Sequence, residues 1–232
     1  MTSILLMALC TGTMILSQYW FREVFFKRPM GKVSPPPGCV GSPVDGTLVY
    51  VRHVEPGPIY GEKLGEKHFS GEIDYPAIHV GIYMSIFDRH HVMAPCSCTV
   101  VRIQKWSAGV NLPMLDLHEY VRVMFFRKFE EWFSRHLRTW ISQNERVTLD
   151  LLDARGNPFK MILIGDKYVN KIDLEVSEGE TLEAGQKIAF ISRGSQTDLL
   201  FKEGVIRLDN SRSKIGDRVT AGDSLFPLES SC

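Results

Sequence analysis

Several residues in this sequence have types that chemistry uses. Cys96 and Cys98 are spaced to share one face of a strand. A zinc site needs about four ligands, and no second cysteine pair stands elsewhere, so both read as structural cysteines. His79 and the pair His90-His91 offer imidazoles. Neighbours on a strand point to opposite faces, and no H-x-H or H-x-x-x-H spacing joins these histidines, so no metal is expected. His90 is of more interest as an acid–base group, because an imidazole titrates near neutrality. It follows the apolar run Ala77–Phe87 at a strand end, the kind of position that lines a cleft. Asp45, in Ser42-Pro43-Val44-Asp45-Gly46, reads by itself as a turn aspartate before glycine. Gly194-Ser195 reads by itself as a β-turn between two strands.

Short strands must position these groups. Thr47–Val51, Ala77–Phe87, Thr99–Ile103, Val147–Leu152, Phe159–Ile164, Lys187–Ile191, Leu199–Phe201 and Val205–Leu208 are β-branched, aromatic or continuously apolar. Gly156-Asn157-Pro158, Glu178-Gly179-Glu180 and Ala221-Gly222-Asp223 punctuate them as turns. The pattern predicts a mostly β (α+β) chain, an antiparallel β-barrel or sandwich, with one inserted helix. That helix is Leu115 to Ser142, free of Gly and Pro, with Val121, Phe125, Phe129, Trp132, Phe133, Leu137 and Trp140 mainly at three- and four-residue steps. Its aromatic stripe fits packing on the barrel and also fits a membrane surface, where its arginines would meet lipid phosphates.

The N-terminus is set apart from this. No charged residue occurs from Met1 to Phe21, and the stretch ends in Tyr19-Trp20-Phe21 before Arg22, Lys27 and Arg28. Such a length reaches the roughly 17–25 residues that span a bilayer, with an aromatic belt and a basic, cytoplasmic flank. A helix lying in the interface is the other reading, because Thr11, Gly12, Thr13, Ser17 and Gln18 dilute the apolarity. A cleaved signal peptide fits poorly, lacking a basic start and an A-x-A site. Residues 29–43 hold five of the twelve prolines and form a linker. The organisation is therefore an anchor with its basic flank over 1–28 and a single domain over 29–232.

With 27 basic and 27 acidic residues the chain lacks the cationic surplus of a dedicated nucleic-acid binder. Five scattered cysteines do not make a disulfide scaffold, and a reducing compartment fits them. At 232 residues, folding removes about 70% of the unfolded surface from water, enough for a substantial core.

Taken together and in order, certain blocks carry a resemblance. Phe25-Phe26-x-Arg28-Pro29, Ser42-Pro43-Val44-Asp45-Gly46, Met84-Ser85-x-Phe87-Asp88-Arg89-His90 leading to Ala94-Pro95, Asn144-Glu145-Arg146 and Gly194-Ser195 resemble the phosphatidylserine decarboxylase family from about residue 21 to the C-terminus. The resemblance implies a proenzyme that cuts itself between Gly194 and Ser195, with His90 as base and Asp45 orienting it, as in a hydrolase triad used once. Residue 195 would become a pyruvoyl group, leaving chains 1–194 and 195–232. That group would form a Schiff base with phosphatidylserine, accept electrons as CO₂ leaves, and yield phosphatidylethanolamine. The implied partners are a membrane holding phosphatidylserine and the chain's own two fragments. Nucleic acid is not among them, and a homo-oligomer is left open. The implied location is a membrane with the catalytic domain on the cytoplasmic side; the short N-terminus, without an Arg- and Ser-rich transit stretch, favours a bacterial cell membrane.

This chain departs from the family pattern in places. Many members carry a second histidine three residues after the first, where Met93 stands here, while His91 adjoins His90. A shorter bacterial branch also has one histidine. Gln196 replaces the commoner Thr or Arg after the cleavage serine, and the 115–142 helix is an insertion. Two other functions fit parts of the sequence: a non-cleaving homologue acting as a lipid-binding or interaction protein, and a lipoyl-like carrier. The second is prompted by Val176-x-Glu178-Gly179-Glu180 and Gly185-Gln186, but Lys167 is a poor match to a carrier lysine.

Overall fold

A computed structural model describes residues 2–25, 27–28, 34–58, 72–85, 87–107, 144–166, 172–191, 195–208 and 214–229. The inserted helix predicted over 115–142 and Lys167 lie outside the described residues. The chain opens with α1 (Thr2–Tyr19), which runs on as one π-helical stretch, Trp20–Phe25. The strands that follow, in chain order, are β1 (Cys39–Gly41), β2 (Gly46–Val54), β3 (Gly57–Pro58), β4 (Glu72–Ile73), β5 (Ala77–Met84), β6 (His91–Met93) and β7 (Cys98–Trp106). Next come β8 (Arg146–Asp153), β9 (Pro158–Gly165), β10 (Ile172–Leu174), β11 (Thr181–Leu182), β12 (Lys187–Ile191), β13 (Ser195–Lys202), β14 (Arg218–Val219) and β15 (Ser224–Pro227).

All the strand pairs are antiparallel, and the large sheet runs β11-β7-β8-β9-β13-β5-β2-β14. A three-stranded sheet, β10-β12-β6, and the pair β1-β15 complete the core layers. The mostly β prediction holds, but the barrel does not close: β11 and β14 are opposite edges of the large sheet and do not pair. The chain changes sheet between β12 and β13 instead of continuing one ladder around.

The two faces of the large sheet differ. On β5 the side chains Ile78, Val80, Ile82 and Met84 join the hydrophobic core, as do Phe159, Met161 and Leu163 of β9 and Leu199 and Phe201 of β13. Val92, Ile172, Ile188, Ala189 and Ile191 of the small sheet belong to the same core cluster. The opposite face of the sheet is also buried but carries His79 of β5, Gln196 and Asp198 of β13 and, on β8, Arg146. Two-sided burial explains why Ala77–Met84 is near-continuously apolar rather than alternating.

Two other predictions need correction. The strand read at Val205–Leu208 is not one; Gly204 has φ of 81° and turns the chain, and Ile206 makes only isolated bridges to Glu203 and Leu228. A side chain other than glycine rarely takes that φ, so β13 stops there. In addition, no helix among the described residues is long and apolar enough to cross a membrane. Thr11, Gly12, Thr13, Ser17 and Gln18 lower the hydropathy of α1, and the Thr11 and Thr13 hydroxyls donate back to backbone carbonyls one turn earlier.

Candidate active site

Ser195 begins β13 and is fully buried, opposite Met84 of β5 and Gly165 of β9. Among the described residues its hydroxyl has no hydrogen-bond partner. A buried hydroxyl left unpaired costs about 1–3 kcal/mol, and its lone pairs stay available for attack. The neighbouring backbone is fixed. Asn144 Nδ2 donates to the Gly165 carbonyl at 2.8 Å, and the Gly165 N–H donates to the Glu145 carbonyl at 2.8 Å. The Asn144-Glu145-Arg146 block thus pins the strand directly beside Ser195. Arg146 itself is buried under the Trp106 ring, 4.3 Å from its centroid, and burial lowers its pKa to about 10.

β12 brings the chain to this point. The Ile191 N–H, at the end of β12, donates to the His90 carbonyl at 3.0 Å. Ser192, Arg193 and Gly194 lie outside the described residues, and the next residue is Ser195. The end of β12 is therefore fixed beside His90. Its imidazole is buried, and burial lowers its pKa to about 4. The Asp88 charge and a backbone hydrogen bond to Asp88 pull the other way, His91 adds to the lowering, and Asp45 opposes it more weakly. At neutral pH the ring is uncharged, the form that can accept a proton.

The loop carrying His90 is held by its carboxylates. Asp88 accepts from the Ser85 N–H at 2.7 Å, from the Ser85 hydroxyl at 2.8 Å, and from the Arg218 guanidinium. Asp45 accepts from Arg89 Nε at 2.5 Å, Arg89 Nη2 at 3.2 Å and the Ala221 N–H at 2.9 Å. Asp45 thereby fixes the residue next to His90, and its charge acts on the ring from that position. Asp88 and Arg89 are the residues that sequence reasoning missed. Ser85-x-x-Asp88 has a spacing at which a hydroxyl and a carboxylate bond locally, and that was the available signal. The Asp45–Arg89 pair spans 44 positions and left none.

The other imidazoles and thiols stand apart from this arrangement. His91 packs against Phe190 with ring centroids 5.2 Å apart, and burial lowers its pKa. Burial pushes the Cys96 and Cys98 thiols up to about 12, so neither is a nucleophile at neutral pH. Among the described residues no group of three His, Cys, Asp or Glu side chains is placed to hold a metal.

Comparison with known proteins adds an independent line. A family model described as phosphatidylserine decarboxylase matches residues 19–226. The phosphatidylserine decarboxylase proenzyme of Oleidesulfovibrio alaskensis is 27% identical over 207 residues, covering 89% of this chain and 77% of that protein. The proenzyme of the same name from Paramagnetospirillum magneticum is 23% identical over 227 residues, covering 93% and 80%. That of Nitratidesulfovibrio vulgaris is 26% identical over 211 residues, covering 91% and 79%.

Proposed function

The chain belongs to the phosphatidylserine decarboxylase family, and on that footing we propose that it is a proenzyme that cuts itself between Gly194 and Ser195 and then decarboxylates phosphatidylserine. The observation that carries the reading is the buried Ser195 hydroxyl at the head of β13, without a hydrogen-bond partner among the described residues, four positions after Ile191 bonds the His90 carbonyl. Neutral His90 takes the hydroxyl proton as Oγ attacks the Gly194 carbonyl carbon. The Oγ–C bond forms, the C–N bond to residue 195 breaks, and the proton passes to the freed amine. Loss of the Cα proton then breaks the Cβ–Oγ bond. Gly194 leaves as a carboxylate, and residue 195 is left as dehydroalanine. Water replaces the nitrogen, ammonia departs, and residue 195 ends as a pyruvoyl group.

Serine at 195 fits this precursor role, with no hydrogen-bond partner for its hydroxyl among the described residues and a fixed ladder on either side. A ketone there supplies an electron sink for carbon dioxide loss from an amine-bearing head group. The protein supplies the rest. Asp88 and Asp45 hold the His90 loop, Asn144 holds the strand beside residue 195, and burial keeps water away from His90. Helix α1 attaches the whole to the membrane where the substrate resides.

Denaturing electrophoresis with intact-mass measurement tests the reading. Two chains are expected, 1–194 and 195–232, the shorter beginning with a pyruvoyl group in place of serine. Purified protein that remains one chain with serine intact, and that leaves phosphatidylserine unchanged, overturns the proposal in favour of a non-cleaving lipid-binding homologue. Ser195→Ala should abolish both cutting and decarboxylation.

A further inference from the structure

We infer that the Gln196 side chain, gripped by Tyr50 and Asp198, is the positioning device that holds the end of the short chain in place after the bond before residue 195 has been cut. The inference rests on the proposed cleavage point. It concerns a buried polar cluster to which self-cleavage itself assigns no task.

The cluster lies behind the reacting residue. Along β13, Leu199 and Phe201 face the core, so Ser195 and Thr197 share that face and Gln196 and Asp198 point the other way. On that second face Gln196 Nε2 donates to the Tyr50 hydroxyl at 2.6 Å and to Asp198 Oδ1 at 2.7 Å. The two amide hydrogens thus go to two acceptors. The Tyr50 hydroxyl donates in turn to Asp198 Oδ2 at 2.8 Å. His79 Nε2 lies 3.0 Å from the same oxygen, while Arg52 Nη2 lies 3.2 Å from His79 Nδ1. An arginine only donates, so Nδ1 is the acceptor, and Nε2–H donates to Asp198. Burial and Arg52 lower the His79 pKa well below the usual range, in keeping with a neutral ring.

The backbone makes room for this arrangement. Tyr50 crosses over Gly81, which stands opposite Asp198 on β5. A Cβ on residue 81 would come within 2.3 Å of Tyr50 Cζ. Only glycine lets the phenol lie across the strand and reach both Gln196 and Asp198.

Cutting changes what holds residue 195. The covalent link to Gly194 is lost, and the nitrogen leaves as ammonia, so residue 195 no longer has a backbone N–H to give to the ladder. Chain ends fray unless something ties them down. Gln196 becomes the first residue with both an N–H and a side chain. Its amide is anchored to two buried groups of which one, Tyr50, belongs to the long chain. A misplacement of 1 Å at a reacting centre can cost about a hundredfold in rate. The clamp keeps the ketone registered against the His90 loop without touching substrate.

The experiment uses the full-length chain in mixed micelles containing phosphatidylserine. Gln196→Met keeps the length of the side chain and removes its donors; Tyr50→Phe keeps the ring and removes the hydroxyl. Both variants should still cut into two chains with the pyruvoyl mass at residue 195. Their kcat should fall about tenfold or more, with KM within about twofold of the parent and the folded fraction unchanged. Should Gln196→Met fail to fold, Tyr50→Phe alone decides. Parental kcat in the cleaved variants overturns the inference, as does a loss confined to KM. A parent chain that never cuts overturns the proposed function instead, and the two failures are told apart by mass alone.

Discussion

At the scale of single residues, the proposed self-cleavage turns on keeping an imidazole neutral inside the protein. An ordinary histidine, with a pKa near 6.5, is only about 3% uncharged at pH 5. Burial moves His90 down to about 4, against the opposing pull of Asp88 and Asp45. The sign follows directly: a base works in its unprotonated form, and a lowered pKa extends that form to lower pH. Self-cleavage of freshly translated chain should therefore run at pH 5 within about twofold of its rate at pH 7.5. An ordinary imidazole would lose roughly thirtyfold over the same interval. Pulse-labelled precursor, shifted to each pH and resolved on a denaturing gel, measures this. A thirtyfold drop would mean that His90 is not the base or is not shielded as the fold implies. Replacement by alanine should slow cutting by about a hundredfold or more, the usual worth of a general base.

At the scale of elements, β13 explains both what was legible beforehand and what was hidden. Ala77–Met84, Phe159–Ile164 and Lys187–Ile191 were visible as apolar runs because both faces of those strands are buried. Gly194-Ser195 reads as a turn and the sequence places the strand only at Leu199–Phe201, because the four polar residues Ser195 to Asp198 carry no strand signal, yet all four are buried. The Gln196 and Asp198 side chains find partners on β2 and β5 more than a hundred positions away, which no local pattern reports. Strands of two or three residues, such as β6, β11 and β14, are too short for periodicity to show. Gly194 and Ser195 were legible only through the order of several blocks, not through either residue. The position of β13 also has a consequence for the protein once cut as proposed. It lies between β5 and β9, both from the long chain, while β14 pairs with β2 and β15 with β1. Burying Leu199, Leu200 and Phe201 contributes roughly 1.5–3 kcal/mol each, besides the ladder bonds on both sides. The two chains should elute together on native size exclusion and part only in denaturant. Release of a free 195–232 peptide on simple dilution would contradict a central position for β13.

At the scale of the whole molecule, the net charge of zero conceals an uneven distribution of apolar surface. Helix α1 has no charged residue, and Ile4, Leu5, Leu6, Leu9, Ile15 and Leu16 are each at least 64% exposed. Soluble surfaces rarely leave so much contiguous apolar area to water, and a lipid interface would cover it without requiring a span. The helix also ends close to the chemistry. Arg28 donates to the Phe87 carbonyl at 3.3 Å, and Phe87 is itself 56% exposed beside Asp88. The N-terminal segment and the His90 loop are thereby joined, so a helix resting in a lipid interface would bring the loop to the head groups. Introducing two charges, Leu5→Glu with Leu9→Glu, removes apolar burial worth roughly 1.5–3 kcal/mol per side chain and adds the cost of charge in lipid. The full-length double variant should no longer float with phosphatidylcholine–phosphatidylserine vesicles. It should cut itself normally and still turn over a water-soluble short-chain phosphatidylserine at the parental rate. On vesicle-borne substrate its rate should fall at least tenfold. Flotation equal to the parent would remove α1 from membrane attachment, whereas equal loss on both substrates would mean that the helix supports the catalytic domain rather than bringing it to lipid.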